Sequence, residues 1–143
     1  MKAFNVYLNF KGITEEAFIF YKSIFGGEFL WLQRFKDTPE KEKLSPAEQE
    51  MIMHIALPIG DGNILMGSDF LESMGHTFIA GNNFYLSVNT QSNEETDKIF
   101  SSLSAGGKIE MPLQDTFWGA YFGMLTDKYG IHWMVSYDKK PLY

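Results

Sequence analysis

The sequence predicts an α+β fold built from two βαβββ modules, at about residues 1–75 and 76–143. An internal repeat is the main observation behind this class. The matched motifs, in chain order, are "NVYL" (5–8) with "NFYL" (83–86), "EEAFIF" (15–20) with "EETDKIF" (94–100), "FGGEF" (25–29) with "AGGKI" (105–109), and "DGNILM" (61–66) with "YGIHWM" (129–134). Each half therefore has the same order: a strand, a helix, a Gly-Gly pair and further strands.

The first strand and helix are predicted from the spacing of apolar residues. Residues 3–10 alternate between apolar and polar side chains, as a half-buried strand does. Thr14 is a candidate N-cap, followed by acidic residues that favour a helix start. Ala17, Phe20, Tyr21 and Ile24 then recur at helical spacing, and Gly26-Gly27 is expected to end the helix.

The rest of the first module reads as three strands and one long connection. Strands are expected at 28–35, 51–58 and 62–68, the last entered by a turn at Asp61-Gly62. The charged stretch between the first two, residues 36–50, contains two prolines. We expect a solvated loop there, either a plain surface insertion or a lid.

The second module repeats this pattern. Ser92 and Glu95 form a candidate capping box at the start of its helix, and Gly106-Gly107 is expected to end that helix. The turn Asp127 to Gly130 joins the last two strands, with Asp127 capping it. The predicted strands are residues 83–89, 108–114, 120–126 and 131–137.

The two modules are expected to form one domain, residues 1–143. A βαβββ unit covers only one face of its sheet with a helix, so the other face needs a partner. Two such units would form curved mixed sheets around a cleft, with the helices outside.

Composition excludes several functional classes. The net charge of −6 argues against nucleic acid as a partner. The absence of cysteine excludes disulfides, thiolate nucleophiles and Cys-ligated zinc. The first residues do not have the pattern of a signal peptide, and no apolar run is long enough to span a bilayer. We therefore expect no membrane association and a cytoplasmic location.

The chain resembles the vicinal oxygen chelate superfamily, which includes glyoxalase I, bleomycin-resistance proteins and extradiol dioxygenases. The resemblance rests on the paired βαβββ plan, on "FYKSIFGGE", and on "GGKIEMPLQDTFWG" followed by "YFGMLTDKYGIHWMVS", which is similar to the PhnB-like branch. It implies eight strands and a homodimer. PhnB-like chains are often labelled demethylubiquinone methyltransferases, but the sequence has no Gly-rich loop leading into a helix to hold S-adenosylmethionine.

The resemblance also implies where a divalent metal would lie. Superfamily enzymes take His and Glu ligands from the first and last strand of each module, and the repeat places these positions at Asn5, Met66, Asn83 and Met134. Two amides and two thioethers do not suit a catalytic divalent ion. We predict no metal and no other cofactor, with Met66 and Met134 lining an apolar pocket or filling core.

Four further residues are candidates for the cleft. Tyr7 and Gln114, together with Asn5 and Asn83, would supply polar groups that orient a ligand, and His54 would do so if it faces the cleft instead of serving a structural role. Trp118, which follows Phe117 and precedes Gly119, would wall the cleft mouth, or the aromatic pair would pack in a dimer or core. His132 is expected to be structural or exposed.

Three functions are consistent with these residues, and no catalytic residue is assigned. The first is a homodimer that binds an unknown small apolar or planar molecule in an aromatic and Met-lined cleft. The second is a metal-dependent enzyme of the glyoxalase or dioxygenase type, using His54 with acids such as Asp69 or Glu110. The third is a structural dimer whose cleft has no ligand.

Overall fold

The computed structural model describes residues 1–140. These residues form two compact units, one from Met1 to Ile79 and one that starts at Ala80. The boundary lies a few residues after the predicted one. Each unit contains a four-stranded mixed sheet, so the predicted α+β class and the two βαβββ modules are confirmed. Their union into one domain around a cleft stays a prediction.

The sheet of the first unit has the strand order β1-β4-β3-β2. β1 runs parallel to β4, and the other neighbours are antiparallel. The sheet strands and the helix are β1 (Val6–Phe10), α1 (Thr14–Phe25), β2 (Trp31–Arg34), β3 (Ile52–Ile59) and β4 (Asn63–Asp69).

Helix α1 covers one face of this sheet. Ala17, Phe18 and Tyr21 are fully buried on its inner side. A Cβ atom added at Gly67 in β4 would lie only 2.7 Å from the Phe18 ring. Gly67 therefore marks the helix-covered face, and its neighbours in β4 point to the opposite face because side chains alternate along a strand.

The start of α1 differs from the prediction. Thr14 is the first helical residue, and the preceding Ile13 offers no side-chain cap. The cap comes from another strand: the Asp69 carboxylate accepts hydrogen bonds from the Thr14 amide at 3.1 Å and from its hydroxyl at 2.7 Å. A buried acid thus satisfies a helix N-terminus whose own sequence does not.

The charged segment 36–50 is largely exposed, as its composition predicts, but it also contains regular structure that the prediction did not include. It contains a short 3-10 turn and the short helix α2 (Pro46–Gln49), which begins with a Ser45 capping box. Its ends pack on an apolar cluster of three buried and two half-buried side chains: Phe35, Leu44, Leu71, Met51 and Met53. A few apolar residues spaced among the charges therefore anchor an otherwise exposed segment to the unit.

The sheet of the second unit repeats the order, as β5-β8-β7-β6, with β5 parallel to β8. The elements are β5 (Leu86–Asn89), α3 (Asn93–Ser104), β6 (Lys108–Asp115), β7 (Ala120–Thr126) and β8 (His132–Asp138). Ser92 accepts a hydrogen bond from the Glu95 amide, as predicted. The Glu95 carboxylate accepts a hydrogen bond from the Gln91 amide. A capping box would use the amide of the next residue, Ser92.

Three strands are shorter than predicted. Strands expected from residues 3, 28 and 83 begin at Val6, Trp31 and Leu86. Backbone pairing with the neighbouring strand sets these boundaries, and one further hydrogen bond, from the Leu30 amide to the Ala56 carbonyl oxygen at 2.9 Å, lies just before β2. Within residues 1–140, no helix is long and apolar enough to cross a membrane.

Candidate functional site

The helix-free face of the first sheet is the face opposite α1, and it carries three predicted site residues. Met66 pairs with Tyr7 and with Ala56 across the sheet. Because Met66 neighbours Gly67 in β4, it points away from α1. His54 alternates with the buried Ile55 and points to the same side. The structure thus brings Tyr7, His54 and Met66 together.

Tyr7 and His54 form a polar pair on this face. The Tyr7 hydroxyl lies 3.1 Å from His54 Nδ1, and the ring centroids are 5.6 Å apart. Tyr7 is 43% exposed, so the pair is accessible. His54 therefore lies on the helix-free face of the first sheet, where its ring contacts the Tyr7 hydroxyl.

The helix-free face of the second sheet is lined by methionine and aromatic side chains. A Cβ atom at Gly123 would lie 2.7 Å from Phe100 of α3, so Gly123 marks the covered face and its neighbours Phe122 and Met124 lie on the other. Met124 pairs with Met134 in β8. Gln114 pairs with Phe122 and lies on the same face.

Trp118 extends this aromatic surface from the turn between β6 and β7. Its ring meets the Phe122 ring edge-on at 5.8 Å and the Phe117 ring at 5.0 Å. Gly119 has a φ of +91°, a conformation that side chains rarely adopt, and it lets the chain turn into β7. Phe117 is 98% exposed, so it is not core. Trp118 lies beside the apolar face, as one of its two predicted roles requires.

A row of polar side chains crosses the same helix-free face near the start of β8. The Glu110 carboxylate accepts hydrogen bonds from the Tyr85 hydroxyl at 2.5 Å and from the Thr126 hydroxyl at 2.6 Å. His132 Nδ1 lies 2.9 Å from Thr126 Oγ1 and 3.2 Å from Glu110 Oε1. Its other ring nitrogen, Nε2, lies 3.2 Å from the Gly81 carbonyl oxygen. We call Tyr85, Glu110, Thr126 and His132 the polar row.

The hydrogen bonds of the polar row shift the acidity of its members. Those from Thr126 and Tyr85, with a smaller contribution from His132, hold the pKa of Glu110 below its ordinary value. The same carboxylate raises the pKa of Tyr85, mainly because its hydrogen bond with the phenol O–H favours the protonated form, and further because it would repel a phenolate. Near neutral pH, Glu110 is ionised and Tyr85 keeps its proton.

A β-bulge places Glu110 in the row. The pairing of β6 with β7 shifts register between Ile109 and Met111, which leaves Glu110 as the extra residue. Bulges re-aim side chains and are common beside functional sites. Here the bulge turns the carboxylate toward Thr126 and His132.

The polar row is not evident from the sequence. His132 was expected to be structural or exposed, and Glu110 was considered only as a partner of His54. The available signal was the four-residue turn at Asp127, which forces Thr126 and His132 to pair. No sequence pattern predicts the bulge at Glu110.

Asp69 has a structural role. Besides Thr14, it accepts a hydrogen bond from the Ile52 amide at 2.9 Å, and only 2% of the residue is exposed. Both carboxylate oxygens are therefore engaged within the first unit. This leaves Asp69 poorly suited to the metal set suggested with His54. Asp127 caps its turn through the Tyr129 and Ile131 amides, as predicted.

The predicted equivalence of Asn5 and Asn83 does not follow the strand pairing. Met66 is paired with Tyr7, whereas its counterpart Met134 is paired with Ser87. By this register, the counterpart of Asn5 is Tyr85, one of the polar row. Asn5 lies just before β1, and Asn83 lies in an exposed bend before β5.

The described residues offer no obvious divalent-metal site. Within residues 1–140, no three His, Cys, Asp or Glu side chains are grouped so that they could hold an ion. The amides and thioethers of the four positions predicted by resemblance are weak ligands for such ions. A cavity of about 280 Å³ in the first unit, at the end of β1, has Met51, Phe70 and Leu71 among its lining residues, with Lys11, Glu48 and Glu72 also contributing.

Known proteins resemble this chain along nearly its whole length. A sequence profile of the family described as "3-demethylubiquinone-9 3-methyltransferase" matches residues 2–136. Protein YjdN from Escherichia coli (strain K12) is 34% identical over 142 residues, which is 94% of each chain.

Solved structures are also similar to this chain along nearly its whole length. Protein PA1353 from Pseudomonas aeruginosa is 34% identical, with a TM-score of 0.83 over 95% of this chain and 98% of that one. A PhnB protein from Bacillus cereus, described as a putative 3-demethylubiquinone-9 3-methyltransferase, is 30% identical, with a TM-score of 0.76 over 94% and 98%. Glyoxalase-related structures share the fold alone, at lower identity.

Proposed function

Because the chain belongs to the family described as 3-demethylubiquinone-9 3-methyltransferase, the PhnB-like family of glyoxalase-like fold, we propose that it binds a small, planar, largely apolar molecule. The binding surface is the helix-free face of the second sheet, and binding requires no catalytic metal. The single observation that carries this proposal is the apolar surface formed by Met124, Met134, Phe122 and Trp118 beside a few fixed polar groups. Ligand sites commonly combine an apolar wall with a few oriented polar groups.

The methionine pair suits a binding surface. Met124 and Met134 face one another across neighbouring strands, and both are half-buried. Thioether side chains are flexible and polarizable, and they make favourable contacts with aromatic rings. A planar ligand lying on this pair would replace water on apolar surface while Gln114 and the polar row meet its polar edge.

The name of the family does not carry a methyltransferase activity to this chain. S-adenosylmethionine would need a Gly-rich loop between a strand and a helix start. The connection from β1 to α1 contains one glycine, Gly12, and that from β5 to α3, residues 90–92, contains none. We therefore propose binding without methyl transfer.

The metal-dependent enzyme stays the alternative, and elemental analysis distinguishes the two. Stoichiometric Zn, Ni, Mn or Fe in the purified protein, lost on His54→Ala substitution, would support the enzyme. The homodimer, the single domain and the cytoplasmic location also stay predictions. Light scattering of the purified protein measures the first of these.

A thermal-shift screen with planar aromatic compounds tests the binding proposal, since a ligand stabilises the folded state by mass action. The test variant is Met124→Gln, which keeps the side-chain length and makes the surface polar. Met74→Gln is the matched control, because Met74 is 44% exposed and lies in the first unit. We expect the shift in melting temperature to be lost in Met124→Gln and kept in Met74→Gln. A shift that is equal in both variants would reject this surface as the site.

A further inference from the structure

We infer that the polar row binds the hydrogen-bond-donor group of the ligand, preferably a protonated amine joined to an aromatic ring by a short carbon chain, and rejects oxyanions. This inference rests on the proposed function, since it assigns the chemistry of the ligand for the same surface. It follows from counting the protons of the row and the atoms that accept them.

The two hydroxyl groups of the row have no proton to offer a ligand. Tyr85 donates its hydroxyl proton to Glu110 Oε2, and Thr126 donates its proton to Glu110 Oε1. Each hydroxyl carries a single proton. A ligand that approaches Tyr85 therefore meets the lone pairs of the phenol oxygen and not its O–H.

The histidine leads to the same result in either protonation state. The Gly81 carbonyl oxygen only accepts, so the contact with Nε2 at 3.2 Å needs a proton on Nε2. Nδ1 faces Thr126 Oγ1 and Glu110 Oε1. If Nδ1 is protonated, it donates to these oxygens, and if it is not, it has no proton to give. Among the described residues of the row, every side-chain donor is thus used internally.

The groups left over within the row are acceptors, and Lys108, which pairs with Thr126 from β6, is an exposed cation outside the row. The Tyr85 oxygen has lone pairs that can accept a hydrogen bond. The Glu110 side chain is 24% exposed and keeps its negative charge. A carboxylate, phosphate or phosphonate placed there would meet lone pairs and like charge. An ammonium or amide N–H would meet oriented acceptors. The net charge of −6 adds a long-range preference of the same sign.

The row is not required by the module itself. In the first unit, Pro58 pairs with Ile64 at the positions that correspond to Thr126 and His132 when Met66 is matched to Met134. These apolar residues occupy the same places in the same fold. A polar cluster that only one copy of the repeat carries points to a role other than holding the sheet together.

The polar row also lies beside the apolar surface, at a distance that suits a ligand with an aromatic ring and an amine. Met124 and Met134 each lie two residues along their strand from Thr126 and His132, on the same face. Side chains two residues apart on a strand are separated by about 7 Å. The distance from the methionine pair to Thr126 and His132 therefore matches the distance from an aromatic ring to an amine carried on a chain of one or two carbons.

Calorimetric titration with three indole probes tests the inference. Tryptamine and indole-3-propionate carry the same ring and opposite charges, and 3-methylindole is the neutral reference. We expect tryptamine to bind about ten-fold or more tightly than indole-3-propionate, the size of one hydrogen bond to a charged group. We also expect the Glu110→Gln variant, which is neutral and offers an N–H2 group, to lose most of this preference.

Tyr121→Phe is the matched control. Tyr121 also donates to a carboxylate, Asp97 at 2.6 Å, but it lies on the helix-covered face of the same sheet. This variant should keep the wild-type preference for tryptamine. Circular dichroism checks that both variants are folded, and the comparison of probes on the wild-type protein needs no variant.

The outcomes separate the two proposals. Similar binding of all three probes, or tighter binding of indole-3-propionate, overturns the inference and leaves the binding function standing. Failure of all three to bind overturns the inference together with the planar, apolar ligand class of the proposed function. A preference for tryptamine that survives Glu110→Gln overturns the assignment to the polar row.

Discussion

Replacing Asp69 by alanine is expected to destabilise the protein strongly. Its carboxylate accepts hydrogen bonds from the amide and the hydroxyl of Thr14 and from the amide of Ile52. Thr14 and Ile52 are fully buried, so water does not replace the lost acceptor. An unpaired buried donor costs about 1–3 kcal/mol. Allowing for partial relaxation, we expect the free energy of unfolding to fall by about 3–5 kcal/mol.

Asp115→Ala is the control for this experiment. The Asp115 side chain is 73% exposed and pairs only with Lys139 among the described contacts. Exposed ion pairs contribute about 0–1 kcal/mol, so this substitution should change stability little. Asp69→Asn should lie between the two, because its amide N–H2 group faces at least one donor.

Urea unfolding followed by circular dichroism measures the three variants. If Asp69→Ala loses no more stability than Asp115→Ala, the structural role of Asp69 is refuted. That outcome, joined to a bound metal that the variant loses, would instead favour the enzyme alternative.

Three further predictions concern packing, pH and metal. Gly67→Ala should cost about 1–3 kcal/mol, because its Cβ would crowd the Phe18 ring, whereas Gly81→Ala, with no atom closer than 3.8 Å, should cost little in the same urea titration. The pKa of Glu110 is lower in the folded state, so its stabilising contribution is present above the ordinary value of 4.5 and is lost as pH falls through the lowered pKa. Glu110→Gln should therefore show a shallower loss of melting temperature in acid than wild type, and an equal loss would contradict the assignment. Mass spectrometry of metals should find sub-stoichiometric divalent ions in both wild type and His54→Ala.

The topology could be predicted from the sequence because it repeats. Matching Gly-Gly pairs and the alternating strands gave the order of elements in both units, and backbone pairing followed that order. The match between Asn5 and Asn83 predicted the wrong equivalence, because an identical residue in two repeats does not fix the register of their strands. The register is fixed instead by backbone pairing, which joins Met66 to Tyr7 in the first unit and Met134 to Ser87 in the second.

The site was only partly predictable. Alternation correctly separated the face of Tyr7 and His54 from the core, since side-chain direction in a strand follows a period of two. The polar row depends on a bulge at Glu110, and a bulge arises from the fit between two strands that are distant in sequence. The anchoring of the charged segment by Phe35 and Leu44 is likewise a tertiary contact.

Methyl NMR of the methionines tests the central claim most directly. The chain has eight methionines, and labelled methyl groups give resolved signals that single Met→Leu variants assign. On titration with tryptamine, we predict that the signals of Met124 and Met134 shift together, whereas those of Met51 and Met53, in the apolar cluster of the first unit, do not. Saturating shifts confined to Met51 and Met53, or no shift at Met124 and Met134, would contradict binding on the helix-free face of the second sheet.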